Sequence, residues 1–286
     1  MLETVIQGVL LGGLYCLFAL GLSMMFGVMR LTNIAQGDLI VTGAYGAIAL
    51  APLCGNNPVL VALVLIPLAM LLGYGLQVGV LNRTLGRNPL PSLVVTFGLS
   101  IILQNLLLEL FSADPRAFEL EGLNTRSLTL PGDVAVGVLP LVILGMALFC
   151  TGSMQFMFDR TALGRAFRAV SDDKEVAALM GLNAHRIYGI ATGLAFGLIA
   201  LAGVFQSLRT TVSPADGPML LLFAFEAVII GGMGSFWGTL LGALVLGITQ
   251  QVGFLFDPGW GVWFGHLIFL LVLVVKPNGL FPKTKG

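Results

Sequence analysis

Ionisable and amide side chains are sparse in this sequence, and the places where they gather bound the chemistry it can do. The densest group runs from Asp159 to Arg186, where Arg160, Arg165, Arg168, Lys174 and Arg186 stand among Asp159, Asp172, Asp173 and Glu175. Each ionised side chain would cost roughly 2.5 to 3.5 kcal/mol at the centre of a bilayer, so this segment must project into water. It also carries helix punctuation. Ser171 or Asp172 can cap a short helix, Glu175 stands three residues after Asp172 as a capping box asks, and Gly181 supplies a stop. Val176, Leu179 and Met180 then share one face. An ordinary solvated basic loop would satisfy the same pattern.

A second group interrupts the apolar sequence near the start, in R30LTNIAQGDLIVTGAY45. Asn33, Gln36, Asp38 and Tyr45 supply polar atoms, and Gly37 can loosen a helix between them. Irregular backbone at membrane depth is tolerated only where it faces protein or a water-filled cavity, so this stretch is a candidate permeation element. A helix beginning near Asn33 would turn free N–H groups toward a passing carboxylate. The other reading is a helix starting at the membrane interface, with Asn33 as cap and Asp38 reaching headgroups. Glu226, in L220LLFAFEAVIIGG232, is a solitary acid in an apolar run. It is placed to line a pathway, to pair with Arg209, or to lie near the interface.

Catalytic patterns are missing from the sequence. It contains no Gly-Lys dipeptide and hence no P-loop, so this chain does not hydrolyse ATP by that route. Cys16, Cys54 and Cys150 lack metal-ligand spacing, and His185 and His266 are too isolated to suggest a metal. No bound cofactor is expected.

The elements that must position these groups follow from composition. Of 286 residues, 57% are apolar and 10% charged, against about 25% charged in soluble domains. Apolar runs about 20 residues long imply an integral membrane protein. Candidate spans cover 4–28, 34–53, 59–81, 91–111, 136–157, 187–208, 219–234, 237–256 and 262–275. Placing residues 159–186 in the cytoplasm puts Arg30, Arg83, Arg87, the five basic residues of that segment, Lys276, Lys283 and Lys285 on one side, and only Arg116, Arg126 and Arg209 on the other. The positive-inside rule then sets the N-terminus outside and the C-terminus in the cytoplasm. The start lacks the basic region of a cleavable signal peptide, so the first apolar run is expected to be retained as a span. Basic residues scattered over short loops give no footprint for nucleic acid.

The outer loop, 112–135, carries Asp114, Glu119, Glu121 and Asp133, with Pro115 and a Pro131-Gly132 turn, and could receive a soluble partner. Gly189, Gly193 and Gly197 in one span, and Gly234, Gly238 and Gly242 at the start of another, recur every four residues and are read as helix-packing ridges. No internal repeat stands out.

Three stretches together resemble a known family. E175VAALMG181, followed by Asn183 and Arg186, is similar to the EAA-type cytoplasmic loop of ABC importer permeases. With G12GLYCLFALGLSMMFGVMRLTNIAQGDLIVTGAY45, R165AFRAVSDDKEVAALMGLN183 and A224FEAVIIGGMGSFWGTLLGALVLG247, the chain resembles over nearly its whole length the LivH type of permease from branched-chain amino acid importers. The resemblance implies an all-α polytopic membrane protein of about eight or nine transmembrane helices with a cytoplasmic EAA-type coupling loop. Residues 1–286 then form a single permease domain in a bacterial inner membrane. It implies four partners besides the lipid bilayer: a LivM-type permease, two ATPase subunits that hold the ATP and Mg, and an external substrate-binding protein. Arg168, Asp173, Glu175, Ala178 and Gly181 fall in the coupling segment by this resemblance. Val176 departs from a strict Glu-Ala-Ala start. Asn33, Gln36, Gly37 and Asp38 match the family's polar break, whereas Glu226 stands where many relatives are expected to carry a smaller polar residue.

The expected role is ATP-driven import of branched-chain or related amino acids. The same machinery could serve urea and short-chain amides, aromatic acids or other amino acids. An ion-coupled carrier working alone is the alternative of another class, with Asp38 and Glu226 as its thin material; an intramembrane enzyme has no nucleophile and base to support it.

Overall fold

The computed structural model describes residues 1–85, 90–118, 127–130 and 134–281. Arg87, Glu119, Glu121, Arg126, Pro131, Gly132, Asp133, Lys283 and Lys285, used in the sequence reading, lie outside them. The helices are α1 (Leu2–Met29), α2 (Gln36–Leu50), α3 (Pro58–Gly79), α4 (Leu90–Phe111), α5 (Val138–Arg160), α6 (Ala162–Asp172), α7 (Lys174–Leu179), α8 (Ala184–Arg209), α9 (Gly217–Gly231), α10 (Phe236–Phe256) and α11 (Trp260–Val275). A small antiparallel hairpin, β1 (Ser127–Leu130) and β2 (Val134–Gly137), pairs Ser127 with Gly137 and Leu130 with Val134.

Among the described residues, seven helical segments are long and apolar enough to cross a membrane, and α11 is a shorter apolar helix. α1 and α8 are buried on nearly every side and form the axis of the bundle; α3, α4 and α5 turn most of their apolar surface outward, as lipid-facing helices do.

The expected span 34–53 is corrected. α2 has 15 residues, so at 1.5 Å per residue it reaches about 22 Å, short of a hydrocarbon core of about 30 Å. α1 ends at Arg30, whose φ of +53° turns the chain sharply back. The next residues return beside α1, with the Asn33 Nδ2 donating to Met25 Sδ. α2 starts where the Gln36 Nε2 donates to the Phe18 carbonyl at 2.9 Å, halfway along α1. It is a half-helix that begins at mid-depth.

α9 is built the same way from the opposite end. After α8 stops at Arg209, the chain runs back through a proline-bearing 3-10 turn, Pro214–Asp216, and α9 begins at Gly217 against Gly37 and Asp38. The order α1, break, α2, α3, α4 therefore recurs as α8, break, α9, α10, α11. α1 packs on α10 as α8 packs on α3, and α2 meets α9 at the centre. The two halves run in opposite directions: α1 ends and α8 begins at the end of the bundle that carries residues 159–186. This is an inverted repeat, an arrangement that places broken helices at the midplane.

The same contacts sort the charges. Arg30, Arg83, Lys276 and the basic residues of 159–186 lie at one end, where Ser171 donates to the Gly27 carbonyl and the Asn82 Nδ2 to that of His185. Arg116 and Arg209 lie at the other, where Arg116 and Val212 form a β-bridge. Gln7 reaches Ala135 at that far end, whereas Leu280 and Phe281 donate backbone hydrogen bonds to Ile230 and Gly231 at the charged end. Gln7 near the start of the chain and Phe281, the last described residue, thus sit at opposite ends of the bundle.

Candidate functional site

At the charged end, α6 starts on the Thr161 hydroxyl, which accepts from the Gly164 N–H at 3.1 Å. The cap of α7 is a correction to the sequence reading. Asp173, rather than Ser171 or Asp172, accepts from the N–H groups of Glu175 and Val176 at 2.8 and 3.1 Å. Ser171 is spent instead on tying α6 to the end of α1. Gly181, at φ +83°, ends the turn after α7, and Asn183 then caps α8.

The result is an apolar knob in water. Val176, Leu179 and Met180 are 52%, 88% and 75% exposed, while Ala177 beneath them is buried. Glu175, Ala178 and Gly181 line an open cleft of about 680 Å³ together with Lys174, Leu85 and Tyr188. Arg168 lies away from the knob. Its guanidinium donates to the Phe158 carbonyl and stands 3.8 Å from the Asp159 carboxylate, so it holds α6 to α5. Beneath the surface Phe167 of α6 meets Phe158 of α5 at 5.4 Å between ring centroids, and Phe158 meets Phe236 at the start of α10 edge-on at 4.9 Å. A continuous aromatic contact runs from the exposed segment into the bundle.

At the centre, α2 and α9 cross at Gly37 and Gly217, with the Asp38 side chain packed against Gly217. A Cβ on Gly37 would strike the Gly217 carbonyl, and one on Gly217 would strike the Asp38 carboxylate. Glycine is required there for approach, not for flexibility. Asp38 accepts from the Ser100 hydroxyl of α4 at 2.5 Å, and the Ile34 N–H donates to Thr96 of the same helix at 3.3 Å. Tyr45 donates to the Val212 carbonyl at 2.9 Å, fastening α2 to the other break.

These placements reject the reading of a helix starting at the interface. Ala35 precedes α2, Asn33 accepts from the Ala35 N–H without capping the helix, and Asp38 is buried rather than at headgroups. Asn33, Gln36, Asp38 and Tyr45 are all buried within this one chain, so none lines an open passage in this conformation. The Gln36 Oε1 is buried without a hydrogen-bond partner among the described residues.

Glu226 is 1% exposed and pairs with His266 Nδ1 of α11. Neither alternative structural reading holds: Arg209 is not its partner, and it is not at the interface. Nearby, the Tyr15 hydroxyl donates to the Gln250 Oε1 at 2.6 Å, linking α1 to α10. The glycine ridges divide. Gly189, Gly193 and Gly197 meet Tyr74, Val78 and Met70 of α3, and Gly238 and Gly242 meet Gly231 and Ala227 of α9. Gly234 is corrected: it lies in the turn before α10, at φ +81°, and packs on Gly27 of α1.

The profile of the family described as "Branched-chain amino acid transport system / permease component" matches residues 4–276. The chain belongs to this family. Two relatives agree with it over nearly their whole length. The high-affinity branched-chain amino acid transport system permease protein BraD of Pseudomonas aeruginosa is 27% identical over 99% of this chain and 96% of its own. The corresponding LivH of Escherichia coli K12 is 27% identical over the same shares. Among solved structures, PsaBC from Streptococcus pneumoniae in complex with Fab is similar in fold, with a TM-score of 0.50 at 12% identity, covering 95% of this chain and 91% of that one.

This permease is accordingly a multi-pass inner-membrane transport subunit rather than an enzyme. Reading its sequence missed three features. His266 was the one ionisable side chain in the otherwise apolar α11, which is the signal that an intramembrane partner exists. Phe158, Phe167 and Phe236 gave no signal among 19 phenylalanines. The repeat had a faint one, L17FAL20 and L198IAL201, each followed by a break after Arg30 or Arg209.

Proposed function

We propose that this permease forms, with a LivM-type partner, the membrane pathway of an ATP-driven importer for branched-chain amino acids. Two ATPase subunits bind its cytoplasmic side and hold the ATP and Mg, and an external binding protein delivers substrate at the other. The N-terminus is outside and the C-terminus in the cytoplasm, in keeping with the basic residues gathered at the end that carries α6 and α7. The relatives named as branched-chain amino acid permeases over almost the full chain support the substrate class.

The observation that carries the coupling role is the knob of Val176, Leu179 and Met180. Three large apolar side chains held in water on a capped turn mark a contact surface for another protein. The buried Phe167–Phe158–Phe236 contact gives that surface a mechanical route to α5 and α10. ATP-driven closure of the ATPase pair moves α6 and α7, and the two permeases then alternate the access of a shared pathway.

Leu179→Asp tests the reading directly. Leu179 touches solvent with 88% of its surface, so folding does not depend on it, whereas a charge in the centre of an apolar contact removes about 2 kcal/mol or more, the scale of an interface hot spot. Copurification of the ATPase subunits with the permease should fall at least about ten-fold. Unchanged copurification together with normal uptake would reject the knob as the docking surface.

A further inference from the structure

At the end of the bundle opposite the coupling segment, α1, the last turn of α8 and the first turn of α9 enclose a pocket of about 260 Å³. It lies under the roughly 300 Å³ at which pockets for drug-sized ligands begin, so it suits a small solute. Its walls are apolar, with Leu14, Phe18, Leu220 and Phe223 among them. Two opposite charges also line it, Arg209 from the end of α8 and Asp216 from the turn before α9.

The two charges do not neutralise each other. No ion pair joins them among the described residues. The Arg209 Nη1 is buried and has no hydrogen-bond partner among the described residues. Asp216 uses one carboxylate oxygen, Oδ2, to accept from the Ser213 N–H at 2.8 Å, and its Oδ1 has no partner among the described residues. A buried cationic donor without an acceptor is costly, and native structures keep one where a ligand or a function supplies the missing partner. The lining therefore asks for a ligand that carries both an anionic and a cationic group and an apolar body to set against the leucine and phenylalanine walls.

We propose that this pocket is an entry site for a zwitterionic aliphatic amino acid. The Arg209 guanidinium takes the α-carboxylate, Asp216 takes the α-ammonium, and the leucine and phenylalanine walls take the branched side chain. The assignment rests on the reading of this chain as an amino-acid permease and adds to it a place and a reason for selection: urea and short-chain amides carry neither charge and would leave both residues unpaired. The site also adjoins the central crossing. Asp216 immediately precedes half-helix α9, whose first residue, Gly217, lies against Gly37 and Asp38. A ligand drawing Asp216 toward Arg209 therefore pulls on the crossing of the two half-helices.

The test is uptake of radiolabelled leucine by liposomes holding the complete importer, with internal ATP and saturating leucine-loaded binding protein, so that the permease limits the rate. Arg209→Gln should lower uptake by roughly ten-fold or more, and Arg209→Lys, which keeps the charge but loses the planar fork, should recover part of it. Met219 lines the same pocket from its exposed side, at 51% exposure, so Met219→Trp should narrow the mouth and lower leucine uptake several-fold without disturbing the core. Uptake within two-fold of wild type in assembled Arg209→Gln and Met219→Trp complexes would overturn the proposal. If Arg209→Gln does not assemble, Met219→Trp decides alone. Failure of the underlying reading looks different: the wild-type complex would then take up no amino acid at all.

Discussion

Glu226 and His266 show what an ionisable group inside a membrane bundle requires. Both of them sit on apolar helices, and each is tolerable because the other is there. Among the described residues the Glu226 Oε2 has no partner, so the site has no spare capacity to absorb the loss of His266. Removing only the partner of a buried carboxylate is worse than removing both groups, because the survivor keeps its desolvation penalty. His266 is itself a third exposed, so His266→Leu should destabilise the permease by about 1 to 3 kcal/mol, the scale of a buried polar group left unsatisfied, while the double variant His266→Leu with Glu226→Leu should recover most of that loss. Thermal unfolding of the detergent-purified complex measures both, and a double variant no more stable than the single one would mean that the pair does something other than satisfy itself. The sequence marked Glu226 as a functional candidate by its isolation, and that rule identified a residue with a real constraint. It could not identify the partner, because residues 40 apart on two helices separated by α10 meet only through tertiary packing.

At the scale of elements, the amphipathic short helices were legible and the half-helices were not. Gly181 as a stop and the shared face of Val176, Leu179 and Met180 follow from local rules, and the structure places them so. The cap moved by one residue, from Asp172 to Asp173, a shift that spacing alone does not resolve. α2 read as a full span because residues 34–53 are apolar enough for one. Only the contact of Gln36 with Phe18 reveals that its first turn starts at mid-depth. The aromatic contact between α6, α5 and α10 gives the element scale its own prediction. Phe167→Ala removes a fully buried ring, at a cost of about 3 to 5 kcal/mol in a core that does not collapse, and loosens the only aromatic joint described between the coupling segment and the bundle. ATP hydrolysis should continue in the assembled complex while uptake per ATP falls several-fold. Equal losses in hydrolysis and uptake would indicate that the ring supports ATPase binding rather than transmission.

For the whole molecule, the inverted repeat joins the separate parts. Two half-helices start at the centre, one entered from each end, and cross at Gly37 and Gly217. Half-helix α2 is fastened on both sides, its Tyr45 to the Val212 carbonyl of the other break and its Gln36 amide to α1 of its own half. A movement of α5 and α6 at one end, or of Arg209 and Asp216 at the other, therefore reaches the same crossing. Composition established the membrane class, because no soluble fold hides 57% apolar residues with 10% charged ones. The repeat stayed hidden because inversion preserves the backbone path and leaves little residue identity behind. The most direct measurement of the account is uptake of leucine, isoleucine and valine by liposomes containing this permease, its partner permease, the ATPase subunits and the binding protein, with and without internal ATP. The account predicts uptake that requires both ATP and the binding protein and disappears in Glu175→Lys. Uptake by this chain alone, driven by an ion gradient and indifferent to ATP, would contradict it.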